Sequence, residues 1–282
     1  MRTPRTRTLD GRVVVITGAG SGMGREMARY AARRQARLAL SDWNAEALAG
    51  TVEQVRHEGV EVRSDVVDVS DRAAMATWAQ TVADRFGRVD MVVNNAGVSM
   101  TGDFEEMSHE EFDWILGVNL HGVVNGTKEF LPHLVASGDG MLVNVSSLFG
   151  LVSMPGQSAY NTTKYAVRGF TEALRIEMLA NRRPVSVTCV HPGGIRTGIA
   201  RNGRKTHSQD AVAVDRFFDT RLARMPAADA AEVILEGALA GKARVLVGAD
   251  AHALHHFAKL AGSRYQDVVA RVSRRVLPAR TG

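Results

Sequence analysis

Tyr160 and Lys164 stand four residues apart in the stretch Tyr160 to Asn181, whose apolar spacing predicts a helix, so both side chains leave one face of it. A free phenol ionises near pH 10 (about 10 for tyrosine), but a neighbouring ammonium favours phenolate and brings the group towards work as a general acid or base. The same spacing also occurs on helices whose Tyr and Lys meet only solvent. Ser147 directly follows Met141 to Ser146, a run of strand type. A hydroxyl at the carboxyl end of such a strand borders the crevice where open α/β sheets bind ligands. There it can hold a carbonyl or alcohol oxygen while a tyrosine moves the proton; Ser146 competes for the role. Acid–base work at such an oxygen is the chemistry these residue types suit.

A second group sits near the start of the chain. The apolar run Val13 to Thr17 leads into Gly18-Ala19-Gly20-Ser21-Gly22-Met23-Gly24, and a helix pattern follows. Glycines between strand and helix permit a tight turn and a close approach of backbone to a pyrophosphate, which the amides and dipole of the helix N-terminus attract. The next strand ends at Asp42, roughly 20 residues on, where a carboxylate accepts from both ribose hydroxyls of NAD and repels the 2′-phosphate of NADP. The competing reading makes Asp42 an N-cap of the following helix.

Strand-length apolar runs alternate with helical patterns along the chain, the rhythm of a parallel α/β sheet. The expected strands are Val13 to Thr17, Arg37 to Ser41, Glu61 to Val66, Met91 to Asn94, Met141 to Ser146, Val185 to Val190 and Arg244 to Val247. Most are continuous apolar runs, as when helices cover both sheet faces. The helices expected between them are Gly24 to Ala36, Ala45 to Glu58, Arg72 to Arg85, His109 to Val135, Tyr160 to Asn181 and Ala227 to Ala240. The fold class is therefore α/β: a single doubly wound Rossmann-type domain with a seven-stranded parallel sheet in the order 3-2-1-4-5-6-7. The domain is expected over residues 11–250, with an irregular insertion at 196–225 bordering the site, a basic flexible tail over 1–10 and a C-terminal helical extension over 251–282.

The ordered set Thr17-Gly18-x-x-x-Gly22-x-Gly24, Asp68-Val69, Asn94-Asn95-Ala96-Gly97, Asn119, Ser147, Tyr160-x-x-x-Lys164 and Pro192-Gly193 resembles the common form of the short-chain dehydrogenase/reductase family over roughly residues 10 to 250. The resemblance implies that Asn119, Ser147, Tyr160 and Lys164 are catalytic, Asn119 holding a water near Lys164, and it favours Ser147 over Ser146. It implies that Gly18, Ser21, Gly22, Met23, Gly24 and Asp42 bind the cofactor, with Asp68 and Val69 at the adenine. Asn95, Ala96 and Gly97 would lie along the cofactor, Tyr160 and Lys164 would touch it, and Pro192, Gly193, Ile195 and Thr197 would hold the nicotinamide end. Read singly, Asp68 is equally a helix cap, Asn94-Asn95 a turn and Pro192 a helix-blocking corner. By resemblance alone, the chain forms a homo-oligomer, tetramer or dimer, through the helices carrying Asn119 and Tyr160.

Ser147, Phe149, Met154 and Tyr160, with Ser99 to Gly102 nearby, would border the substrate; these are apolar or uncharged and predict a hydrophobic alcohol or ketone. Arg196, Arg201, Arg204 and Lys205 in the insertion are either a solvated lid or a basic rim for a carboxylate or acyl thioester. The expected activity is thus NAD-dependent, rather than NADP-dependent, hydride transfer at a CH–OH group. The alternatives are an NADPH-dependent 3-oxoacyl-thioester reductase and, in another class, a non-catalytic NAD-binding sensor or scaffold.

Composition bounds the partners. Among 282 residues, 45% are hydrophobic and 23% charged, and no apolar run reaches the roughly 18 residues of a membrane span. Residues 1–12 carry +3 and residues 271–282 carry +4 of a net +5, leaving the body near −2. That distribution argues against nucleic acid. One cysteine, Cys189, and a first segment unlike a signal peptide lead to a cytoplasmic expectation. The glycosylation patterns at Asn144 and Asn161 fall in a core strand and the Tyr160 helix and are set aside. His252, His255 and His256 lack acidic or cysteine partners, so no metal is expected.

Overall fold

The computed structural model describes residues 7–276. Seven parallel strands, β1 (Val13–Thr17), β2 (Arg37–Asp42), β3 (Val62–Val66), β4 (Met91–Asn94), β5 (Gly140–Val145), β6 (Val185–Pro192) and β7 (Arg244–Val247), form one sheet in the order 3-2-1-4-5-6-7. The order reverses between β1 and β4, so the crevice opens where their carboxyl ends diverge, at Thr17 and Asn94.

Alternate residues of β1 explain the two layers. Val14 and Ile16 pack with Met27 and Ala28 of helix α1 (Gly22–Arg33), Val52 of α2 (Ala45–Arg56) and Ile234 of a helix at Ala227–Leu239. Val13 and Val15 face the other way, onto Met75 and Trp78 of α3 (Arg72–Phe86), Phe130 and Leu174. Trp78 and Phe130 meet edge to face at 5.2 Å. Strand β3 lies at the sheet edge, which is why its sequence, VRSDV, reads as polar.

The helix expected as one piece over His109 to Val135 is divided. Helix α4 (His109–Leu116), opened by a Ser108–Glu111 capping box, runs into a π turn at Gly117–His121 and then α5 (Gly122–Ala136). Gly117 opens that turn and Gly122 follows it, and Gly122 is forced by packing, since a Cβ there would stand 2.6 Å from Val69 Cγ2. Then follow α6 (Ser158–Ala180), α7 (Ala211–Phe217), α8 (Ala227–Leu239), α9 (Ala249–Ala261) and α10 (Tyr265–Val276).

The 196–225 insertion is more ordered than expected: α7, a π turn at Phe218–Leu222 and short strand pairs anchor it, Met100–Thr101 with Arg204–Lys205 and Ile195–Arg196 with Met225–Pro226. Residues 7 to 10 also depart from the expected flexible tail. The Arg7 guanidinium donates to Asp139 and to Ser186 Oγ, and Leu9 is buried in the core. The reason is a carboxylate at the β5 entrance that Arg7 and Arg12 share. The rest of that tail, residues 1–6, and the end of the C-terminal extension lie outside the described residues. Among the described residues no helix is long and apolar enough to cross a membrane.

Candidate active site

The glycine loop is shaped by two requirements. Gly18 has φ +65°, and a Cβ on it would stand 2.8 Å from Ala96 Cα; a Cβ on Gly24 would meet the Gly18 carbonyl at 2.0 Å, so only glycine lets α1 start this close to the strand end. Thr17 Oγ1 accepts from the amides of Asn95 and Ala96, at 3.0 and 3.1 Å, and Asn95 Nδ2 donates to the carbonyls of Thr17 and Gly18. These bonds fasten the loop to β4 across the crevice. Ser21, the N-cap, has extended backbone and no side-chain capping bond, so the first-turn amides of α1 face the crevice uncapped.

Asp42 is not the cap of α2; Asn44 fills that place, accepting from Ala47 N at 2.9 Å. The Asp42 carboxylate instead accepts from Gly20 N at 2.8 Å and from Asn44 N at 2.9 Å, which aims it at the glycine loop. Asp68 is likewise not a helix cap. Asp71 caps α3, while Asp68 is exposed and accepts from Ser70, and Val69 packs its side chain against Gly122. Thr197 abuts Gly22, and a cavity of about 400 Å³ opens there between the loop and the insertion. Ile195 turns into the core, and Pro192 ends β6 rather than blocking a helix.

Ser146 and Ser147 are separated by their partners. Ser146 Oγ donates to the Lys164 carbonyl at 2.7 Å, which ties β5 to α6. Ser147 accepts from Phe149 N at 3.1 Å and lies beside Tyr160. Burial pushes the Tyr160 phenol up to about 12, with the Ser147 hydroxyl pulling the other way. Lys164 is also buried, which pulls its ammonium down to about 8; it donates to the Val145 carbonyl at 3.1 Å and stands 5.6 Å from the Tyr160 ring centre. Burial therefore sets the shift of the phenol, and the lysine effect expected from spacing alone has no part in it.

Asn119, buried in the π turn, uses its whole amide on neighbours: Nδ2 donates to Val98 O and Thr163 Oγ1, and Oδ1 accepts from Val98 N at 2.8 Å. Gly97 makes room for it, since a Cβ there would lie 3.2 Å from Asn119 Oδ1 and 3.5 Å from Lys164 Nζ. Around Tyr160 gather Phe149, Met100, Ile115, Met107 and Phe112. Met154 is placed apart from this cluster, on the turn after Ser147, where its amide donates to Asn161.

A description of the short chain dehydrogenase family matches residues 12–208. The chain belongs to that family. Within it, the protein is 50% identical to SadH of Mycobacterium tuberculosis over 263 residues, covering 93% of this chain and 95% of SadH. Among solved structures, it is similar to a short chain dehydrogenase/reductase from Burkholderia phymatum in complex with NAD, with a TM-score of 0.84 and 31% identity, covering 94% of this chain and 96% of that one. It is also similar to levodione reductase, with a TM-score of 0.76 and 30% identity over 87% of this chain and 98% of that one.

Three residues of this chain escape a reading of motifs. Asn161 holds the turn after Ser147 by donating to Phe149 O and Val152 O and accepting from Met154 N; in the sequence it resembles a glycosylation site. Asn144, the other such site, links β4 to α6 through Asn94 and Thr171. His191, fully buried on β6, donates from Nδ1 to the Ser147 carbonyl at 2.8 Å, and its Nε2 has no partner among the described residues. A histidine within an apolar strand reads only as core, and nothing in its spacing points to Ser147. Among the described residues no three His, Cys, Asp or Glu are grouped to hold a metal ion.

Burial pulls His191 down to about 4, so it is neutral when folded. The unfolded chain, with an ordinary imidazole near pH 6.5 (about 6.5), binds more protons between these values, so stability falls as pH drops through that window. His191→Asn, which keeps a donor for Ser147, should flatten this loss by about 3 kcal/mol between pH 7 and 4. Denaturant unfolding at the two pH values checks it; parallel curves for both proteins would remove His191 as the source.

Proposed function

We propose that this chain is an NAD-dependent oxidoreductase that moves a hydride between NAD(H) and a hydrophobic secondary alcohol or ketone, with Tyr160 as general acid and base. The observation that carries the reading is the placement of Tyr160 in an apolar cluster, where the Ser147 hydroxyl acts on its phenol and the buried Lys164 ammonium stands 5.6 Å from its ring centre. Residues of the glycine loop fit a dinucleotide: the cradle between Gly18 and Gly24 admits no side chain, and the uncapped amides of α1 suit a pyrophosphate. Asp42 would take the adenosine ribose, Lys164 the nicotinamide ribose, and the Pro192 to Thr197 segment the nicotinamide end. When bound, the nicotinamide ring supplies or accepts the hydride.

Ser147 would hold the substrate oxygen. Tyr160 would give its proton to a forming alkoxide in reduction and, as phenolate, take the hydroxyl proton in oxidation. With the phenol pushed up, reduction starts from the abundant form and oxidation from the scarce one. Lys164 would favour phenolate while it is charged, and Asn119, its amide engaged, would hold a relay water by its backbone carbonyl in the π turn. NADP is disfavoured because Asp42 points at the loop, while Arg25, the cation beside it, directs its donors to Gly20 O and Thr51. The acyl-thioester reading keeps less of its basic rim: Arg201 pairs with Asp219, Lys205 with Asp215, and Arg204 lies 3.9 Å over the Trp114 ring, while Arg196 lines the cavity beside Gly22 and donates to the Ala223 carbonyl. Kinship with levodione reductase supports a ketone or alcohol as the reacting group.

Asp250 extends the site into α9. Its carboxylate accepts from Gly194 N at 2.7 Å and so pins the turn that carries Ile195 and Thr197. Asp250→Ala should raise KM for NAD about tenfold with kcat little changed, the loss of one charge-assisted bond acting through position. Steady-state kinetics test this; an unchanged KM means the turn keeps its shape unaided.

Ile176 and Leu179 of α6 and Val124 of α5 expose apolar side chains, which supports assembly with further copies through these helices. Cys189, buried on β6, is a free thiol, which suits a reducing cytoplasm. The decisive experiment is a screen of secondary alcohols and ketones of graded size and polarity with NAD(H). Turnover that rises with apolar size supports the reading, and NADPH-linked turnover of acyl thioesters alone would replace it with the thioester reductase.

A further inference from the structure

Behind the Ser147 turn, on the side away from the glycine loop, lies a second cavity of about 350 Å³, a volume within the range of small-molecule sites. Its floor is apolar, from Leu151 and the Tyr265 ring, and its walls carry Arg168, Arg244, His255 and Lys259. The helical hairpin of α9 and α10 roofs it. The cavity is separate from the catalytic crevice: Arg168 donates to the Gly150 carbonyl at 3.4 Å and the Tyr265 hydroxyl accepts from Ser153 N at 3.0 Å, so both grip the far side of that turn.

Charge within the cavity does not balance. Glu172 accepts from Arg168 at 3.1 Å and also from Arg244, one carboxylate serving two guanidiniums. Lys259 is paired with no carboxylate among the described residues. Three basic side chains therefore face one carboxylate. The same convergence is felt at His255, whose imidazole is held down by burial and then by Arg244, His256, Arg168 and Lys259. Cations are gathered around a partly desolvated space only at an energetic cost, which a bound anion relieves; guanidiniums in particular present paired donors to carboxylate or phosphate oxygens.

We propose that this cavity binds a small organic anion, a carboxylate or phosphate on a short apolar body, with the head between Arg168, Arg244 and Lys259 and the body on Leu151 and Tyr265. None of these residues takes part in the reaction proposed above, and the site stands whether or not that reaction is the right one.

Isothermal titration of the full chain at constant ionic strength, with acetate, octanoate and inorganic phosphate as probes, tests it. Saturable binding of octanoate or phosphate is expected, with octanoate at least about tenfold tighter than acetate because of the apolar floor. If phosphate binds and octanoate does not, the head alone is recognised and the apolar floor is not used, which overturns that part of the proposal. Lys259→Ala, at an exposed helix position that leaves the Glu172 pairs intact, should weaken binding about tenfold, and Lys259→Arg should restore it. Arg168→Gln should weaken it as well. No saturable binding by any probe overturns the proposal. So does binding that is the same in Lys259→Ala as in the wild type, which would place the probe in the catalytic crevice.

Discussion

Replacing Tyr160 with phenylalanine is expected to lower kcat/KM about a thousandfold in both directions while leaving cofactor binding and thermal stability nearly unchanged. The magnitude is that of a positioned general acid–base group. The substitution removes one oxygen and keeps the ring, so the edge-to-face contact with Phe149, 6.1 Å between centres, survives. Ser147 keeps its bond from Phe149 N and Lys164 its bond to the Val145 carbonyl, because neither ends on the phenol oxygen. Loss of turnover with NADH still bound, followed by fluorescence, separates chemistry from folding. Turnover within about threefold of the wild type would transfer the proton to another group, with Lys164, pulled down to about 8, the first to examine.

Asp42→Asn carries the second large effect. The amide keeps an acceptor for Gly20 N or Asn44 N, so the loop stays in place, but the charge that would grip the ribose hydroxyls and repel a 2′-phosphate is gone. A hydrogen bond to a charged group contributes about 1.5–3 kcal/mol, and each 1.4 kcal/mol, about tenfold in affinity, accumulates in the same direction for the two cofactors. The ratio of NADPH to NADH dissociation constants should therefore fall about a hundredfold, by weaker NADH binding and tighter NADPH binding. Competitive titration measures it directly. An unchanged ratio would mean that Asp42 shapes the loop without reading the cofactor.

The parallel strands, the glycine loop and the shared helix face of Tyr160 and Lys164 are legible in the sequence because each rests on a local rule. Continuous apolar runs mark buried parallel strands, glycines mark a backbone that a Cβ would block, and the spacing of Tyr160 and Lys164 sets one helix face. What the sequence hides is decided by long-range contact. The π turn around Asn119 depends on Val69 packing onto Gly122, some fifty positions away in sequence (about 50) and invisible to a helical period. Asn161 and His191 support Ser147 from a helix and a strand that meet it only in the fold. Arg7 resembles one more residue of a basic tail until Asp139 is brought to it. The pKa of Tyr160 likewise follows from burial rather than from the lysine that the spacing places beside it.

The most direct measurement is the pH dependence of NAD-linked oxidation of a saturating hydrophobic secondary alcohol, in wild type and in Tyr160→Phe. With a phenol held up near 12, the phenolate fraction and hence the oxidation rate should rise close to tenfold per pH unit between about 6 and 8, bending above the point where Lys164 loses its proton. The reverse reduction should be flat over the same range. A flat oxidation profile, or one that Tyr160→Phe shares, would contradict Tyr160 as the group that moves the proton.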